Sequence, residues 1–349
     1  MQISAKATYL DDLAVALRRD AAVYLLVVLH ALAGLVFLEA VGAAEMVSYG
    51  LYLDRWALRT ILFFPPALIL ASYLMELHRT GGTRRAALAR AVAPERVAAV
   101  SAGLVMLLAF MLFQGAFTSV KNGLSVLWDG FPFDLAQANF GKAIHLGTDP
   151  WRLLYRFAQD ETLLAIVEWN YGVLWFFLSF GALVVAILAP AGEMRTRYLI
   201  CFILVWVVVG NVVAGLFMSA GPAFYGFVTG DTARYAEQLA WLGEFGGGSA
   251  YYQAYLWDLQ EAGVTGFGSG ISAFPSVHVV LAALNAMFAW SLDRRLGLAA
   301  WGYAAFVQFS SVYLAWHYAI DGYAGIVLAA LIYVGLSKFM QARASEQTT

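Results

Sequence analysis

Residues 198–218 read YLICFILVWVVVGNVVAGLFM, a run of 21 residues without a charged side chain. A helix needs about 20 mainly apolar residues to cross a bilayer, because the hydrocarbon core is about 30 Å thick and each residue adds about 1.5 Å. Seven further segments of similar character occur along the chain, so we predict an all-α membrane bundle of about eight spanning helices. The eight segments are 21–42, 60–77, 97–119, 170–189, 198–218, 274–292, 298–316 and 322–340.

The composition agrees with this fold class. Hydrophobic residues occupy 62% of the 349 positions and charged residues 13%, whereas an ordinary soluble domain has about 25% charged residues. The 21 Lys and Arg residues nearly balance the 23 Asp and Glu residues, so no nucleic-acid-binding surface is expected. The single cysteine, Cys201, excludes an internal disulfide and a cysteine-ligated metal cluster. We therefore expect an integral membrane protein.

The distribution of basic residues predicts the orientation of the chain. With eight spans both termini lie on one side, which carries 14 Lys and Arg residues, Lys6 among them, against 7 on the other side. The positive-inside rule then places the termini in the cytoplasm and the two long connections, 120–161 and 219–273, outside. The first apolar segment is too long for the core of a signal peptide, so we expect it to be retained. We expect a bacterial inner membrane as the location, with the outer face toward the periplasm or the cell exterior.

We divide the chain into three parts, which are a three-span region 1–119, an outer loop 120–161 and a C-terminal bundle 162–349 that carries the candidate site. The outer loop interleaves aromatic and charged residues, which favours short helices lying in the membrane interface. The sequence supports two roles for this loop equally, namely a cap over the helix bundle and a path by which substrate reaches the site. The second connection is rich in Gly and Tyr and ends in Gly266-Phe-Gly-Ser-Gly270, and loops of this length are usually functional or disordered.

Two of the five histidines are candidates for chemistry. His278 ends the segment Phe274-Pro-Ser-Val-His278 that opens the sixth span, where proline suits a helix start. His317 begins His317-Tyr-Ala-Ile-Asp321 between the seventh and eighth spans, and its His and Asp share one face if the segment is helical. By parity both segments, and Gly221-Pro222 after the fifth span, lie on the outer face. Ionisable residues at membrane depth favour a functional site. The alternative is that both histidines are hydrogen-bonded residues of the membrane interface with a structural role.

The other three histidines carry weaker signals. His30 and His78 lie in the first and second spans, where packing or an interfacial role is favoured. His145 lies in the outer loop, and a position beside the substrate is one interpretation of it. Five aromatic residues of the second connection either exclude water from the site or form an interfacial belt. These aromatic residues are Phe224, Tyr225, Tyr251, Tyr252 and Tyr255.

The order Gly221-Pro222, then Pro275-Ser-Val-His278, then His317-x-x-x-Asp321 resembles the type 2 phosphatidic acid phosphatase superfamily of lipid phosphatases and phosphotransferases. The motifs of that superfamily read K-x6-R-P, P-S-G-H and S-R-x5-H-x3-D. Residues 274–278 and 313–321 look most similar to its branch with fungal inositol phosphorylceramide synthase, and the resemblance covers roughly residues 149–335. It implies that His317 attacks phosphorus, that Asp321 orients the imidazole of His317 and that His278 protonates the leaving oxygen. It implies neither a metal nor a cofactor.

The cationic positions of the family motifs are not cationic here. They fall at Ala214, Gly221 and Ser311, so the phosphate charge must be met by other groups. A helix N-terminus is suited to an anion, and Arg234 is the cation of the second connection, although an exposed-loop role is equally supported for it. A phosphodiester donor carries less charge than a monoester and needs less compensation. The candidate substrate-binding residues are Ser276, Gly221, Pro222, Tyr225, Ser269, Gly270 and Arg234.

These features predict a lipid phosphotransferase with its site at the outer membrane face and membrane lipids, sphingolipids included, as its partners. The first alternative is a lipid phosphate or polyprenyl diphosphate phosphatase, in which water replaces the acceptor alcohol. A transporter or a haem-binding membrane protein is the alternative of another class, since two histidines in a bundle can be axial ligands. Pro-Ser before His278 and an Asp four residues after His317 favour phosphoryl transfer over haem.

Overall fold

The computed structural model describes residues 8–79 and 81–346, so Lys6 of the charge count lies outside the described residues. Within that part all regular structure is helical and no strand occurs, which confirms the predicted all-α class. The fifteen helices are α1 (Tyr9–Arg19), α2 (Ala21–Ala40), α3 (Leu51–Arg79), α4 (Arg84–Ala91), α5 (Pro94–Trp128), α6 (Asp134–Ile144), α7 (Pro150–Ala158), α8 (Glu161–Leu188), α9 (Glu193–Leu216), α10 (Tyr225–Thr229), α11 (Ala236–Phe245), α12 (Gly248–Ala262), α13 (Val277–Leu292), α14 (Arg294–Tyr313) and α15 (Ala319–Glu346).

Six helices of the described chain are long and apolar enough to cross a membrane, namely α2, α3, α5, α8, α9 and α15. Helices α13 and α14 occupy the predicted sixth and seventh segments. Helix α13 is apolar but has only 16 residues. Helix α14 has 20 residues and begins with Arg294 and Arg295. The count of eight spans therefore stays a prediction.

Helix α5 is longer than its hydropathy indicates, because polar residues in its last third are accommodated within the helix. The apolar run ends near residue 119, yet the helix continues to Trp128. The Asn122 side chain donates a hydrogen bond to the carbonyl of Thr118 at 2.7 Å, one turn back along the same helix. The α5 helix thus crosses the predicted boundary at 119/120. The division into 1–119, 120–161 and 162–349 stays a prediction.

Both long connections are folded into short helices, as expected for the first and unexpected for the second. Helices α6 and α7 lie in the first connection, and α10, α11 and α12 lie in the second. The glycine run of the second connection starts α12, where the Glu168 carboxylate accepts a hydrogen bond from the Ser249 N–H at 2.8 Å. Part of the glycine content of the second connection therefore serves a helix start.

Helix α5 joins the N-terminal helices to the rest of the bundle. Helices α1, α2 and α3 pack mainly against it, and it packs in turn against α8 and α9. A buried ion pair adds a second link, since Arg195 at the start of α9 donates to Asp20 before α2, with Nη2 and Oδ2 2.9 Å apart. The core between these helices contains large buried side chains such as Phe113, Tyr198 and Phe202.

Candidate active site

His317 lies in the loop between α14 and α15, with 7% of its surface exposed. Its Nδ1 is 2.7 Å from the carbonyl oxygen of Ala273 and 3.2 Å from Oδ2 of Asp321. A carbonyl oxygen and a carboxylate can only accept hydrogen bonds, so Nδ1 must carry the hydrogen. In the neutral imidazole the lone pair is therefore on Nε2.

Asp321 is fully buried in the first turn of α15. Its Oδ2 also accepts a hydrogen bond from the Tyr318 N–H at 2.9 Å, and its carbonyl accepts one from the Ser276 N–H at 3.1 Å. The expected helical face for His317 and Asp321 is wrong in detail, because His317 precedes the helix start. A turn through Tyr318 brings the two side chains together instead.

His278 is the second residue of α13, and an aromatic wall holds its ring. Tyr171 stacks on it with a centroid distance of 4.4 Å, and Trp175 lies on it at 4.0 Å. The Trp175 indole N–H donates to the His278 carbonyl at 3.0 Å. The ring centroids of His278 and His317 are 6.4 Å apart. The structure thus brings both histidines and Asp321 to one end of the helix bundle, which we call the motif end.

The helix start before His278 differs slightly from the expected one. Ser276 is the N-cap of α13 and accepts a hydrogen bond from the Val279 N–H at 3.5 Å, so Pro275 precedes the cap and is not the first helical residue. Ser276 is fully buried. Its hydroxyl therefore serves the helix start, as serine commonly does there.

Gly221 and Pro222 form a tight turn that packs directly against the loop of His317. Gly221 has φ +99°, and a Cβ there would lie 2.8 Å from the carbonyl oxygen of Trp316. The Ala223 N–H donates to the Ala315 carbonyl at 2.9 Å. Glycine is required at this turn, because a side chain would push the two loops apart.

Asp134 on α6 holds this turn, and it was not among the residues predicted from the sequence. It is 1% exposed, and its carboxylate accepts hydrogen bonds from the N–H groups of Ala220 and Gly221 at 2.7 and 2.8 Å. The Tyr318 hydroxyl donates a third hydrogen bond to it at 2.6 Å. Tyr318 therefore links Asp134 to Asp321, since its N–H bonds to the second carboxylate. A carboxylate within the aromatic segment 131–134 was the available signal.

Burial raises the pKa of Asp134 to about 6, and the hydrogen bonds from Tyr318, Ala220 and Gly221 oppose that rise. Burial likewise raises the pKa of Tyr318 well above its ordinary value. At neutral pH the pair is thus an ionised carboxylate and a neutral phenol. The three donors match a carboxylate, which only accepts.

The Gly266–Gly270 loop packs against α5. The Ser269 hydroxyl accepts a hydrogen bond from the Asn122 amide at 2.9 Å and one from the Gly266 N–H at 2.8 Å. Gly270 has φ +91°, and a Cβ there would lie 2.9 Å from Cγ of Lys121. Ser269 and Gly270 therefore fix the loop that leads to Ala273, the backbone partner of His317.

Arg234 is paired within the protein. Its Nη2 lies 2.7 Å from the Asp149 carboxylate, and its Nη1 lies 2.8 Å from the Asn139 side-chain oxygen and 3.3 Å from the Tyr225 hydroxyl. Burial opposes the charge of Arg234, but Asp149 and Tyr225 outweigh it and raise the pKa of the guanidinium. The arrangement connects α6, α7 and the second connection. The Tyr225 side chain is fully buried in it.

A narrow cavity of about 10 Å³ adjoins His317, which is room for about one water molecule. Helices α6, α7 and α11 cover it, with Trp151, Tyr235 and Gln238 among the lining residues. The exposed aromatic residues Tyr251 and Tyr252 do not line this cavity. The cover over His317 thus comes from both long connections.

His30 and His145 have structural neighbours, whereas His78 is exposed near the end of α3. His30 is buried against Phe113 with a centroid distance of 5.0 Å. His145 has Nδ1 2.7 Å from the Gly141 carbonyl and Nε2 3.1 Å from the Tyr323 hydroxyl. His145 thus connects α6 to α15 at the motif end.

The fold and the paired histidines together define an integral membrane protein with a buried polar site at the motif end. A family model described as the PAP2 superfamily matches residues 139–335, which is more than half of the chain. The chain therefore belongs to the PAP2 superfamily, and membership supports an enzyme of the phosphatase or phosphotransferase type. Comparisons with curated proteins and with solved structures gave no match.

Proposed function

We propose that the protein is a lipid phosphotransferase with His317 as its nucleophile. The observation that supports this most directly is the pair of acceptors at Nδ1, Ala273 and Asp321, which leaves the lone pair of the neutral ring on Nε2. A neutral imidazole nitrogen can attack phosphorus while its other nitrogen donates to a carboxylate.

The proposed reaction has two steps. Nε2 of His317 attacks phosphorus, so that a P–N bond forms and the P–O bond to the leaving alcohol breaks. His278 donates a proton to the leaving oxygen as general acid. The hydroxyl of the acceptor lipid then loses its proton to His278 and attacks phosphorus, which breaks the P–N bond and restores both histidines.

Asp321 supports the positive charge that His317 acquires in the first step. Its buried carboxylate hydrogen-bonds to Nδ1 of His317, and a charge pair in a desolvated site is stronger than one in water. Tyr318 and Asp134 act behind it, since the Tyr318 N–H bonds to the same Asp321 oxygen. We propose that Asp134 and Tyr318 position this carboxylate and the turn at Gly221.

The closed surroundings of His317 favour transfer over hydrolysis. The adjoining cavity has room for about one water molecule, and helices α6, α7 and α11 cover it. Excluding bulk water protects a reactive phosphorylated intermediate from hydrolysis. The resemblance to the inositol phosphorylceramide synthase branch suggests a phosphodiester headgroup donor and a sphingolipid hydroxyl as acceptor.

Product analysis tests the proposal. Purified protein in detergent micelles is incubated with phosphatidylinositol, with and without ceramide or diacylglycerol, and the lipids are measured by mass spectrometry. We expect a new phospholipid that depends on the acceptor and is not formed by His317→Ala. Headgroup phosphate or inorganic phosphate as the sole product, whatever acceptor is offered, would identify a hydrolase instead.

We further propose that the termini are cytoplasmic and the motif end faces outward. Gly247 precedes α12 and Arg85 lies on α4, and both are exposed. Since the single native cysteine is buried, Gly247→Cys and Arg85→Cys can each be labelled with an impermeant thiol reagent in intact cells. We expect labelling only at position 247, and labelling only at position 85 would invert the orientation.

A further inference from the structure

The phosphoryl group of a lipid donor is anionic, but the motif positions that the family fills with cations are neutral here. Ala214 and Ser311 are fully buried, and the Ser311 hydroxyl donates to the Gln308 carbonyl at 2.8 Å. Gly221 is confined by the Trp316 carbonyl. A cation for the phosphoryl oxygens must therefore come from another part of the chain.

Lys121 lies on α5, one turn after the point where α5 meets α9 and the start of α13. One turn before it, the Phe117 ring packs on Gly210 of α9, where a Cβ would be 2.8 Å from the ring and 3.0 Å from the Val277 side chain. Val277 is the neighbour of His278 in α13. Lys121 follows Phe117 by four residues and so shares its helix face.

A second contact places Lys121 beside the loop that supports His317. A Cβ on Gly270 would lie 2.9 Å from Cγ of Lys121, and the Asn122 amide binds Ser269 at 2.9 Å. Three residues after Gly270, the Ala273 carbonyl accepts the hydrogen of Nδ1 of His317.

The ammonium group of Lys121 has no hydrogen bond or ion pair with the residues that the structure describes, and its side chain is half-buried. Two other cations of the long connections are paired, Arg152 with Glu237 and Arg234 with Asp149. An ionised group without a partner inside a membrane bundle is costly. A bound anion would remove that cost.

We propose that Lys121 binds the phosphoryl oxygens of the lipid donor. In this proposal Lys121 replaces the missing motif cations, and its helix, α5, lies outside the matched residues 139–335. This inference rests on the proposed function at His317. One ammonium balances the single charge of a phosphodiester, whereas a phosphate monoester carries close to two charges at neutral pH.

The test compares Lys121→Met with wild type and with Lys142→Met, a matched control because Lys142 is exposed on α6. Orthovanadate is the binding probe, and its dissociation constant is measured by thermal shift independently of turnover. We expect Lys121→Met to weaken vanadate binding about 10- to 100-fold, because charge-assisted hydrogen bonds are lost. Lys121→Arg should restore part of the binding, and Lys142→Met should bind like wild type.

Turnover of phosphatidylinositol supplies the second measurement. We expect Lys121→Met to lose about 10²- to 10³-fold in kcat/KM while its melting temperature stays equal or rises, because methionine removes an unpaired, half-buried charge. Unchanged vanadate binding in Lys121→Met would overturn the role of Lys121 alone. A wild type that binds vanadate through Lys121 but turns over no lipid would overturn the proposed function and leave Lys121 as an anion site.

Discussion

Helices α3 and α9 both meet the requirements for a spanning helix, yet they have opposite surroundings. In the most apolar stretch of each, 11% of the residues are buried for the segment containing α3 and 61% for α9. Helix α9 packs on α5, α8, α13 and α15 and carries Gly210, where α5 and the start of α13 meet it. Apolar sequence therefore identifies a membrane-spanning helix, but the contacts of that helix with other helices determine whether it contributes to the site.

The same contrast separates the N-terminal helices from the matched region. The family match begins at residue 139, but α5 lies before it and holds the Gly266–Gly270 loop through Asn122. Helices α1 to α3 pack mainly on α5, and α3 also contacts the Gly266–Gly270 loop directly, since Tyr52 packs on Phe267 with a centroid distance of 4.9 Å. Substitutions at increasing distance from the two histidines test this arrangement. We expect the effect of each substitution to become smaller from the motif end toward α3.

The largest effect is expected at the two histidines. His317→Ala removes the proposed nucleophile and His278→Ala the proton donor, so each should lower kcat by at least about 10⁴-fold. Lipid turnover and the melting temperature are measured on purified protein. Each variant should keep its melting temperature within about 3 °C of wild type, which corresponds to about 2 kcal/mol or less for a chain of 349 residues. Activity of His317→Ala above one per cent of wild type would contradict the role of His317.

Asp321→Asn should retain a small residual activity. The amide keeps the shape of the side chain but not the charge that supports a cationic His317, and comparable changes in hydrolytic triads cost about 10⁴-fold. We expect a loss of about 10³-fold or more in kcat. Asp321→Asn should still bind orthovanadate, because in the proposed reaction the phosphorus atom meets Nε2 of His317 and not Asp321. Full activity would show that Asp321 is only a structural partner.

Asp134→Asn is expected to have an intermediate effect. Three donors face the Asp134 carboxylate, and an amide would turn one of its own donors toward them. A small displacement of the Gly221 turn should lower kcat about 10- to 100-fold. Asp129→Asn, an exposed change near the start of α6, should leave kcat unchanged.

Asp134 also gives a pH signature. Because burial raises its folded-state pKa to about 6, the folded state holds the proton more tightly than the unfolded state does. The protonated Asp134 carboxyl therefore stabilises the folded state by about 3 kcal/mol below about pH 4. This contribution is lost as the pH rises to about 6. The unfolding free energy of wild type minus that of Asp134→Asn should fall over this range and stay constant above it. An increase would contradict the raised pKa.

Asp20→Asn should reduce stability without reducing the activity of the folded protein. Asp20 and Arg195 are both nearly fully buried, so the variant leaves an uncompensated guanidinium between α2 and α9. Breaking such a pair costs about 3–5 kcal/mol. The melting temperature should therefore drop, while kcat per folded molecule stays within twofold. Glu45→Gln, an exposed change, serves as the control.

The sequence predicted the part of the site that depends on local motifs. His278, His317 and Asp321 each lie beside a helix end, and span parity predicted that these ends share one membrane face. Asp134 and Lys121 were not predicted as site residues, because only the fold shows their contacts with segments far apart in the chain. Lys121 entered only the count of charges, although an ionisable residue within an apolar helix was itself a signal.

The smallest effect is expected on the exposed face of α3. Phe63 is 70% exposed and Phe202 of α9 is fully buried against Phe110, with a centroid distance of 5.4 Å. Phe202→Ala should cost about 3–5 kcal/mol, because it leaves a cavity in the core.

Phe63→Ala should change the unfolding free energy by less than about 0.5 kcal/mol in detergent micelles. Acyl chains solvate an apolar side chain as well as protein does, so no burial is lost when the ring is removed. Activity should be unchanged in Phe63→Ala. A destabilisation close to that of Phe202→Ala would show that this face of α3 is covered by protein, and the contrast between α3 and α9 would then hold only for a single chain.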